Sequence, residues 1–152
     1  PHDGPFAMDL LCLEPPESSS APSTPPSILI IDDDHDQVTV LSKRLQRLGF
    51  DVLTAASGQM GLASAHQDRP HLILLDLRLP DMNGLAVCRR ITDSPQTCGI
   101  PVIVLSAMEG PHILREVRMA GAQYFLRKPY DPNALLVLIR AALTESWEWN
   151  RH

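Results

Sequence analysis

Short aliphatic runs recur along the chain, and a polar or turn-forming residue ends each of them. A short apolar run between turn signals is typical of a β-strand that helices cover on both faces of a parallel sheet. We predict five strands on this basis, and the second is less apolar than the others. They cover residues 28–31, 51–55, 71–76, 100–106 and 123–127.

Segments with apolar residues every three or four positions separate the strands, which is the spacing of helices that bury one face. Gly49 ends the first of these helices, Ser57 caps the second, and Asp131 with Pro132 opens the fifth. The fourth is predicted to begin at Pro111, because proline suits the first helical position. Its inward-facing residues are predicted to be Ile113, Leu114 and Val117.

Five strands that alternate with five helices predict an α/β fold, a doubly wound parallel sheet with helices on both faces. The folded domain is expected over residues 28–146. Residues 1–27 are rich in Pro and Ser and predict a disordered leader or linker, in which only residues 6–13 are apolar enough to dock on a partner. Residues 147–152 are expected to be a C-terminal tail or a truncated linker. The sequence begins at Pro1 rather than Met, so we expect a fragment or a processed chain.

Composition narrows the class of protein. Of 152 residues, 44% are hydrophobic, which is enough for one core, and the net charge of -5 argues against a nucleic-acid surface. Three cysteines without metal-ligand spacing predict reduced thiols in a cytoplasmic protein, and we expect Cys88 to be buried. No apolar run reaches membrane-spanning length, and we expect no signal peptide and no membrane contact.

Every predicted strand except the second ends next to a residue that could do chemistry. These residues are Asp32 and Asp33 after strand one, Asp76 at the end of strand three, Ser106 at the end of strand four and Lys128 after strand five. The carboxyl ends of parallel strands form the ligand-binding edge of such sheets, so we expect these side chains to meet. Three carboxylates repel one another unless a cation lies among them, and hard oxygen ligands select Mg²⁺.

A carboxylate beside Mg²⁺ can act as a nucleophile toward phosphorus and form an aspartyl-phosphate. Asp76 is the candidate nucleophile. Lys128 would supply a compact positive charge for one phosphoryl oxygen, and Ser106 a hydroxyl donor for another.

Four segments that contain these residues resemble the receiver domain of bacterial two-component response regulators. They stand in the order and at the separations of that family, across roughly residues 28–145, and the four together are far more specific than any one of them. The segments are ILIIDDD (28–34), PHLILLDLRLPDMNG (70–84), PVIVLSA (101–107) and GAQYFLRKP (121–129).

The resemblance implies a flavodoxin-like strand order 2-1-3-4-5 and a phosphoacceptor role for Asp76. The phosphoryl group would come from a partner histidine kinase or histidine phosphotransfer protein. By resemblance, Asp33, Asp76 and the backbone carbonyl of Arg78 hold Mg²⁺, and Asp32 acts largely through water. Lys128 matches the phosphate-binding lysine. The switch residues are implied to be Ser106 and Phe125.

Phosphorylation would then change the surface formed by helix four, strand five and helix five. That surface would control an output domain, a partner protein or a homodimer. The chain would catalyse only its own phosphorylation and dephosphorylation, so we do not expect an enzyme that acts on separate substrates.

Several individual residues also have simpler interpretations. Asp34 or Asp36 is expected to cap the first helix, and His35 to lie at its start on the surface. Asp76 taken alone fits a turn former, Lys128 a solvated loop lysine, and Phe125 a core residue. His71 stands where the family often has an acidic residue, and we expect no consequence. These interpretations lose weight for Asp76 and Lys128 once the residues are considered together.

Three other functions compete with a phosphorylated receiver. A phosphohydrolase of the haloacid-dehalogenase type needs a second acid two residues after its nucleophile, where this chain has Arg78. A Rossmann nucleotide-binding protein needs a glycine-rich loop after strand one, where this chain has three aspartates. A pseudo-receiver that binds proteins without phosphorylation remains the alternative, although the complete set of site residues disfavours it.

Arg78 and Met108 lie two positions after Asp76 and Ser106, and the resemblance places them beside the phosphoryl group. A long cation and an apolar thioether would shield that group from water. We therefore expect slow self-hydrolysis.

Overall fold

The computed structural model describes residues 24–151, with side chains as far as residue 146. Strands and helices alternate along the described chain, as the sequence predicts. The strands are β1 (Ser27–Ile31), β2 (Asp51–Ala55), β3 (Leu72–Leu75), β4 (Val102–Ser106) and β5 (Tyr124–Arg127). The helices are α1 (His35–Arg47), α2 (Gly58–Asp68), α3 (Gly84–Asp93), α4 (Ile113–Met119) and α5 (Pro132–Arg151).

All five strands pair in parallel, in the order β2-β1-β3-β4-β5. This confirms the predicted fold class and strand order. The three central strands are buried almost throughout, which explains why their sequences are continuous aliphatic runs rather than alternating ones. The carboxyl ends of β1, β3, β4 and β5 therefore meet at one edge of the sheet.

Alternate residues of each central strand face opposite layers of helices. In β3, Ile73 and Leu75 pack in a cluster with residues of α2, α3 and α4, whereas Leu72 and Leu74 pack with residues of α1 and α5. Each fully buried Leu or Ile side chain contributes about 1.5–3 kcal/mol relative to an exposed one. Helices thus pack on both faces of the sheet and hold in place the edge at which the strands end.

Three capping residues lie where the sequence predicts them. Asp34 accepts a hydrogen bond from Gln37 N at 3.2 Å at the start of α1, and Ser57 accepts one from Met60 N at 3.1 Å in α2. Asp131 accepts one from Asn133 N at 3.0 Å as α5 begins. His35 is exposed at the first position of α1, and Cys88 is fully buried, both as predicted.

The fourth helix differs from its prediction. It begins at Ile113 rather than Pro111, and Leu114 is 51% exposed rather than inward-facing. The helix has only seven residues, and Ile113 and Val117, one turn apart, already bury its inner face. Leu114 lies next to Ile113 in sequence and therefore points about 100° away from that face.

Two element bounds at the ends of the domain differ from the sequence prediction. β1 begins at Ser27, one residue earlier than expected, and the α5 backbone continues to Arg151, so the predicted tail from residue 147 is helical. Most of the predicted leader, including residues 6–13 and Cys12, lies outside the described residues. Among the helices that the structure describes, none combines the length and apolarity needed to cross a bilayer.

Candidate functional site

The ammonium group of Lys128 joins the carboxylates that follow β1 and β3. Its Nζ lies 3.0 Å from Asp32 Oδ2 and 3.3 Å from Asp76 Oδ2, and all three side chains are at most 15% exposed. Lys128 Nζ also donates to Gln37 Oε1 at 2.8 Å, at the start of α1. The structure therefore brings Asp32, Asp76 and Lys128 into one cluster, as the sequence predicts.

One ammonium between two carboxylates leaves the cluster with an excess negative charge. The pKa of Asp76 is raised because burial disfavours its ionised form, and because Asp32 repels it. The Arg78 backbone N–H and the Lys128 charge oppose that rise without cancelling it. Burial would lower the pKa of Lys128, but hydrogen bonding and attraction from Asp32 and Asp76 outweigh burial and raise that pKa.

Backbone contacts fix the position of Asp76. Its own N–H donates to Ile31 O at 2.9 Å, and its Oδ1 accepts from Arg78 N at 3.2 Å. The first residue of α3, Gly84, passes so close that a Cβ there would lie 2.4 Å from Leu77 Cα and 2.7 Å from Asp76 O. Only glycine allows this approach, so α3 and the segment that carries Asp76 position each other.

Ser106 lies fully buried at the end of β4, and its carbonyl accepts from Lys128 N at 3.0 Å. In the described part of the chain, its hydroxyl oxygen accepts from Met108 N at 3.1 Å, and no hydrogen bond joins it to Asp76. Phe125 pairs with Val104 in the sheet and packs, half-buried, against the core cluster beneath α3 and α4. Ser106 thus connects the site to the loop before α4.

The structure does not bring Asp33 into this cluster. Asp33 is exposed, and within residues 24–151 its side chain makes no hydrogen bond or ion pair. In that same range, no group of three or more His, Cys, Asp or Glu side chains has the arrangement of a metal site. Successive side chains of an extended segment point to opposite sides, and Asp32 is the one turned inward.

The donors that do converge nevertheless fit Mg²⁺. Asp32 and Asp76 supply only hard oxygen atoms, and their oxygens already gather within 3.3 Å of one cation, the Lys128 ammonium. The excess negative charge of the cluster favours a further cation. Mg²⁺ usually needs only one or two protein carboxylates, because waters and phosphate oxygens complete its coordination.

Two contributing residues were not predicted. Gln37 accepts from Lys128 Nζ, and nothing in the sequence around Gln37 indicates this contact. Asp81 accepts from Gly58 N at 2.7 Å and Gln59 N at 2.9 Å, which lowers the pKa of its carboxyl group. It thereby ties the loop after Asp76 to the N-terminus of α2.

His71, expected to have no consequence, has a structural contact. Its Nδ1 accepts from Ser27 N at 3.0 Å and lies 3.2 Å from Ser27 Oγ, at the start of β1. This contact is at the opposite end of the strands from Asp76. It helps to align β1 with β3, away from the site.

Comparison with known proteins identifies the family and supports the fold. The family model described as response regulator receiver domain matches residues 28–140. Response regulator PleD of Caulobacter vibrioides is 38% identical over 114 residues, and protein PilH of Pseudomonas aeruginosa is 34% identical over 116 residues. A CheY-like response regulator receiver domain from Methanospirillum hungatei superposes with a TM-score of 0.78 at 28% identity, covering 82% of this chain and 98% of that one.

The chain belongs to the response regulator receiver domain family of two-component signalling systems. It is a signalling fold and not a member of a classical enzyme family. The match covers 75% of this chain but only 25% of PleD, whereas it covers 76% of this chain and 96% of PilH. Relatives therefore include both long regulators and proteins little longer than the receiver itself.

Proposed function

We propose that Asp76 accepts a phosphoryl group from a histidine kinase or a histidine phosphotransfer protein. The observation that carries this proposal is the position of the Lys128 ammonium, 3.3 Å from Asp76 Oδ2 and 3.0 Å from Asp32 Oδ2. An acidic cluster with one extra negative charge needs a divalent cation, and a cation next to a carboxylate and an ammonium makes a phosphoryl-transfer site.

In this mechanism, a carboxylate oxygen of Asp76 attacks the phosphorus as the bond to the donor nitrogen breaks. Lys128 would shift from the Asp76 carboxylate to a phosphoryl oxygen and neutralise charge there. Asp33, Asp76 and the Arg78 carbonyl are the proposed Mg²⁺ ligands, with Asp32 acting largely through water. When bound, Mg²⁺ supplies positive charge that stabilises the phosphoryl oxygens. Asp33 is the one carboxylate of this set that lies outside the observed cluster.

Intact-mass measurement after incubation with acetyl phosphate and Mg²⁺ tests the proposal. Wild type should gain one phosphoryl group, and Asp76→Asn should gain none. Asp93→Asn, a change at an exposed carboxylate at the end of α3, is the matched control and should be phosphorylated normally. An unmodified wild type would favour the pseudo-receiver, and an adduct on Asp76→Asn would place the chemistry on another residue.

The proposed switch links Ser106 to Phe125. Phosphorylation adds about -1.5 to -2 charges at the site, and the Ser106 hydroxyl would donate to a phosphoryl oxygen. Because Ser106 Oγ also accepts from Met108 N, its movement would carry the loop before α4 with it. Phe125 would then move into the vacated space and reshape the surface of α4, β5 and α5.

Phe125→Ala separates the switch from the chemistry. This variant should accept a phosphoryl group as wild type does, since Phe125 packs against the hydrophobic core and takes no part in the ion pairs of Asp32, Asp76 and Lys128. Hydrogen exchange in α4 and β5 should respond to phosphorylation in wild type and much less in the variant. An equal response in both would refute the role of the ring.

The α4, β5 and α5 surface would act on an output domain, a partner protein or a second copy of the chain. We further propose that the protein works in the cytoplasm, where kinase and phosphotransfer partners would meet it. A pseudo-receiver is less favoured, because a protein that binds partners without being phosphorylated does not need a buried carboxylate–ammonium cluster.

A further inference from the structure

An open apolar groove runs between α1 and α5. Two adjoining cavities of about 220 Å³ and 450 Å³ form it, and both are lined by Leu41, Arg44 and Leu135. Leu41 and Leu135 are buried and make its floor. Leu48, 45% exposed, stands at one end, and Val40, 65% exposed, stands on the wall.

Basic side chains border this apolar surface. Arg44 lines both cavities and Arg47 lines the smaller one, and both residues are exposed in the last turn of α1. The larger cavity extends to Lys128 and Pro129, beside the Asp32–Asp76–Lys128 cluster, and Asp36 is the one acidic residue among those that line it. An occupant of matching chemistry would be an apolar peptide with acidic residues.

Residues 1–23 of this chain have that chemistry. They contain four of the chain's 18 acidic residues, Asp3, Asp9, Glu14 and Glu17, and none of its 13 Lys and Arg residues. Residues 6–13, FAMDLLCL, form an apolar run with Asp9 inside it and Glu14 directly after it. The segment therefore complements both the apolar floor and the basic border of the groove.

The chain enters the folded domain next to the end of α1, where the groove also ends. Asp51 N donates to Pro26 O at 3.0 Å, and Ser27 pairs with Asp51, which follows α1 by only a short turn. The leader therefore meets the domain beside Leu48 and the end of α1. Ten residues, 14–23, can span about 33 Å when extended, whereas the 13 residues of α1 are about 20 Å long. Residues 6–13 can thus reach any part of the groove.

We propose that residues 6–13 bind in the groove between α1 and α5 of the same chain. The apolar side chains of Phe6, Leu10 and Leu11 would cover the groove floor, and the acidic residues would pair with Arg44 and Arg47. The bound segment would lie next to Lys128 and compete with any protein that approaches Asp76 from this side. This inference goes beyond phosphorylation and does not depend on it.

A spin label on Cys12 tests the proposal in the full chain by paramagnetic broadening of amide NMR signals. The labelled protein carries Cys98→Ser, and Cys88 stays unmodified because burial raises the pKa of its thiol to about 11. The amide signals of Val40, Arg44 and Leu48 should lose most of their intensity. Those of Arg89 and Arg90 in α3, on the other face of the sheet, should keep theirs. A label on exposed Cys98 in Cys12→Ser should spare the groove.

Two variants establish the chemistry of the contact. Leu10→Ser with Leu11→Ser should restore the groove signals, and so should Arg44→Glu with Arg47→Glu, since Arg44 and Arg47 are both exposed. Unchanged spectra of α3 residues would show that each variant folds. Three outcomes would overturn the proposal. The first is that the groove signals are not selectively broadened, and the second is that the broadening persists in Leu10→Ser with Leu11→Ser. The third is that unlabelled ¹⁵N protein mixed with spin-labelled ¹⁴N protein is broadened equally, because the occupant would then be a second copy.

Discussion

The Lys128 ammonium lies 3.0 Å from Asp32 Oδ2, so one hydrogen-bonded ion pair joins the ends of β5 and β1 across 96 positions of sequence. The same ammonium is 3.3 Å from Asp76, and it cannot fully neutralise two carboxylates. Without a further cation, the site is therefore under electrostatic strain at neutral pH. That strain is the physical basis for two of the predictions below.

Asp76→Asn should stabilise the Mg²⁺-free protein at pH 7, by on the order of 1 kcal/mol, the usual size of a point-mutation effect. Because the pKa of Asp76 is raised in the folded state, folding favours its protonated form. Its contribution is fully present below the ordinary pKa of 3.8 and is lost as pH rises through the folded pKa. Asparagine removes the charged form and its cost.

Urea unfolding at pH 7 and pH 3 measures this difference, with Asp93→Asn as the control. The gain should appear at pH 7 and disappear at pH 3, where wild type is protonated as well. A stabilisation of the same size at both pH values would attribute it to something other than the charge of Asp76.

Mg²⁺ should stabilise wild type against unfolding, and the size of this stabilisation in variants tests whether Asp33 is a ligand. A ligand that binds only the folded state at 100 times its Kd adds about 2.7 kcal/mol. Asp32→Asn and Asp76→Asn should lose most of that gain, since both carboxylates belong to the observed cluster. If Asp33 is a ligand, Asp33→Asn should lose a comparable share, although it is exposed here. Thermal unfolding with and without Mg²⁺ gives the comparison. A full Mg²⁺ gain in Asp33→Asn would remove Asp33 from the metal site.

The sequence was sufficient for the sheet and for most of the site. Continuous aliphatic runs identified the buried strands, and the topology then required Asp32, Asp76 and Lys128 to meet. The direction of a side chain that follows a strand was not predictable, so the sequence could not show that Asp32, and not Asp33, turns toward Asp76 and Lys128. Contacts such as Gln37 with Lys128 depend on how α1 packs, which no local pattern encodes. The prediction that Leu114 faces inward was wrong, because a seven-residue helix has room for only one buried turn.

Gly84→Ala should destabilise the fold and disturb phosphorylation together. The new methyl group would lie 2.4 Å from Leu77 Cα and 2.7 Å from Asp76 O, and backbone atoms cannot rotate away as side chains do. Overpacking of this kind costs about 1–3 kcal/mol. Gly99→Ala is the matched control, because its Cβ would meet nothing within 4 Å. Urea midpoints and phosphorylation rates from intact mass should both fall for Gly84→Ala only. A normal phosphorylation rate in the destabilised variant would separate α3 packing from the site.

Asp81→Asn should lower the free energy of unfolding at neutral pH, and this destabilisation should become smaller as the pH falls. The pKa of Asp81 is lowered because the Gly58 and Gln59 backbone N–H groups bond its carboxylate at the N-terminus of α2. Its contribution is present above the ordinary pKa of 3.8 and is lost as pH falls through the lower folded pKa. Urea midpoints of both proteins from pH 7 to pH 2.5 should therefore converge. If the difference in urea midpoint stayed constant with pH, the loss of stability would come from altered hydrogen-bond geometry at the substituted side chain and not from the missing charge.

Met108→Ala should speed the loss of the phosphoryl group from Asp76. Met108 is half-buried, and Ser106 Oγ accepts from its backbone N–H, so it is held two positions beyond a residue of the proposed site. By the family resemblance, its thioether would lie beside the phosphoryl group and exclude water. Arg78, which is exposed two positions after Asp76, would shield the other side. A tenfold faster decay would correspond to about 1.4 kcal/mol in activation free energy.

Following the phosphorylated species by intact mass after removal of acetyl phosphate gives the decay rate. Met119→Ala is the control, because that side chain is 76% exposed on α4 and should leave the rate unchanged. Arg78→Ala should also decay faster than wild type if the cation contributes to shielding. A wild-type decay among the fastest for receiver domains, or identical rates in Met108→Ala and wild type, would show that these two side chains do not exclude the attacking water.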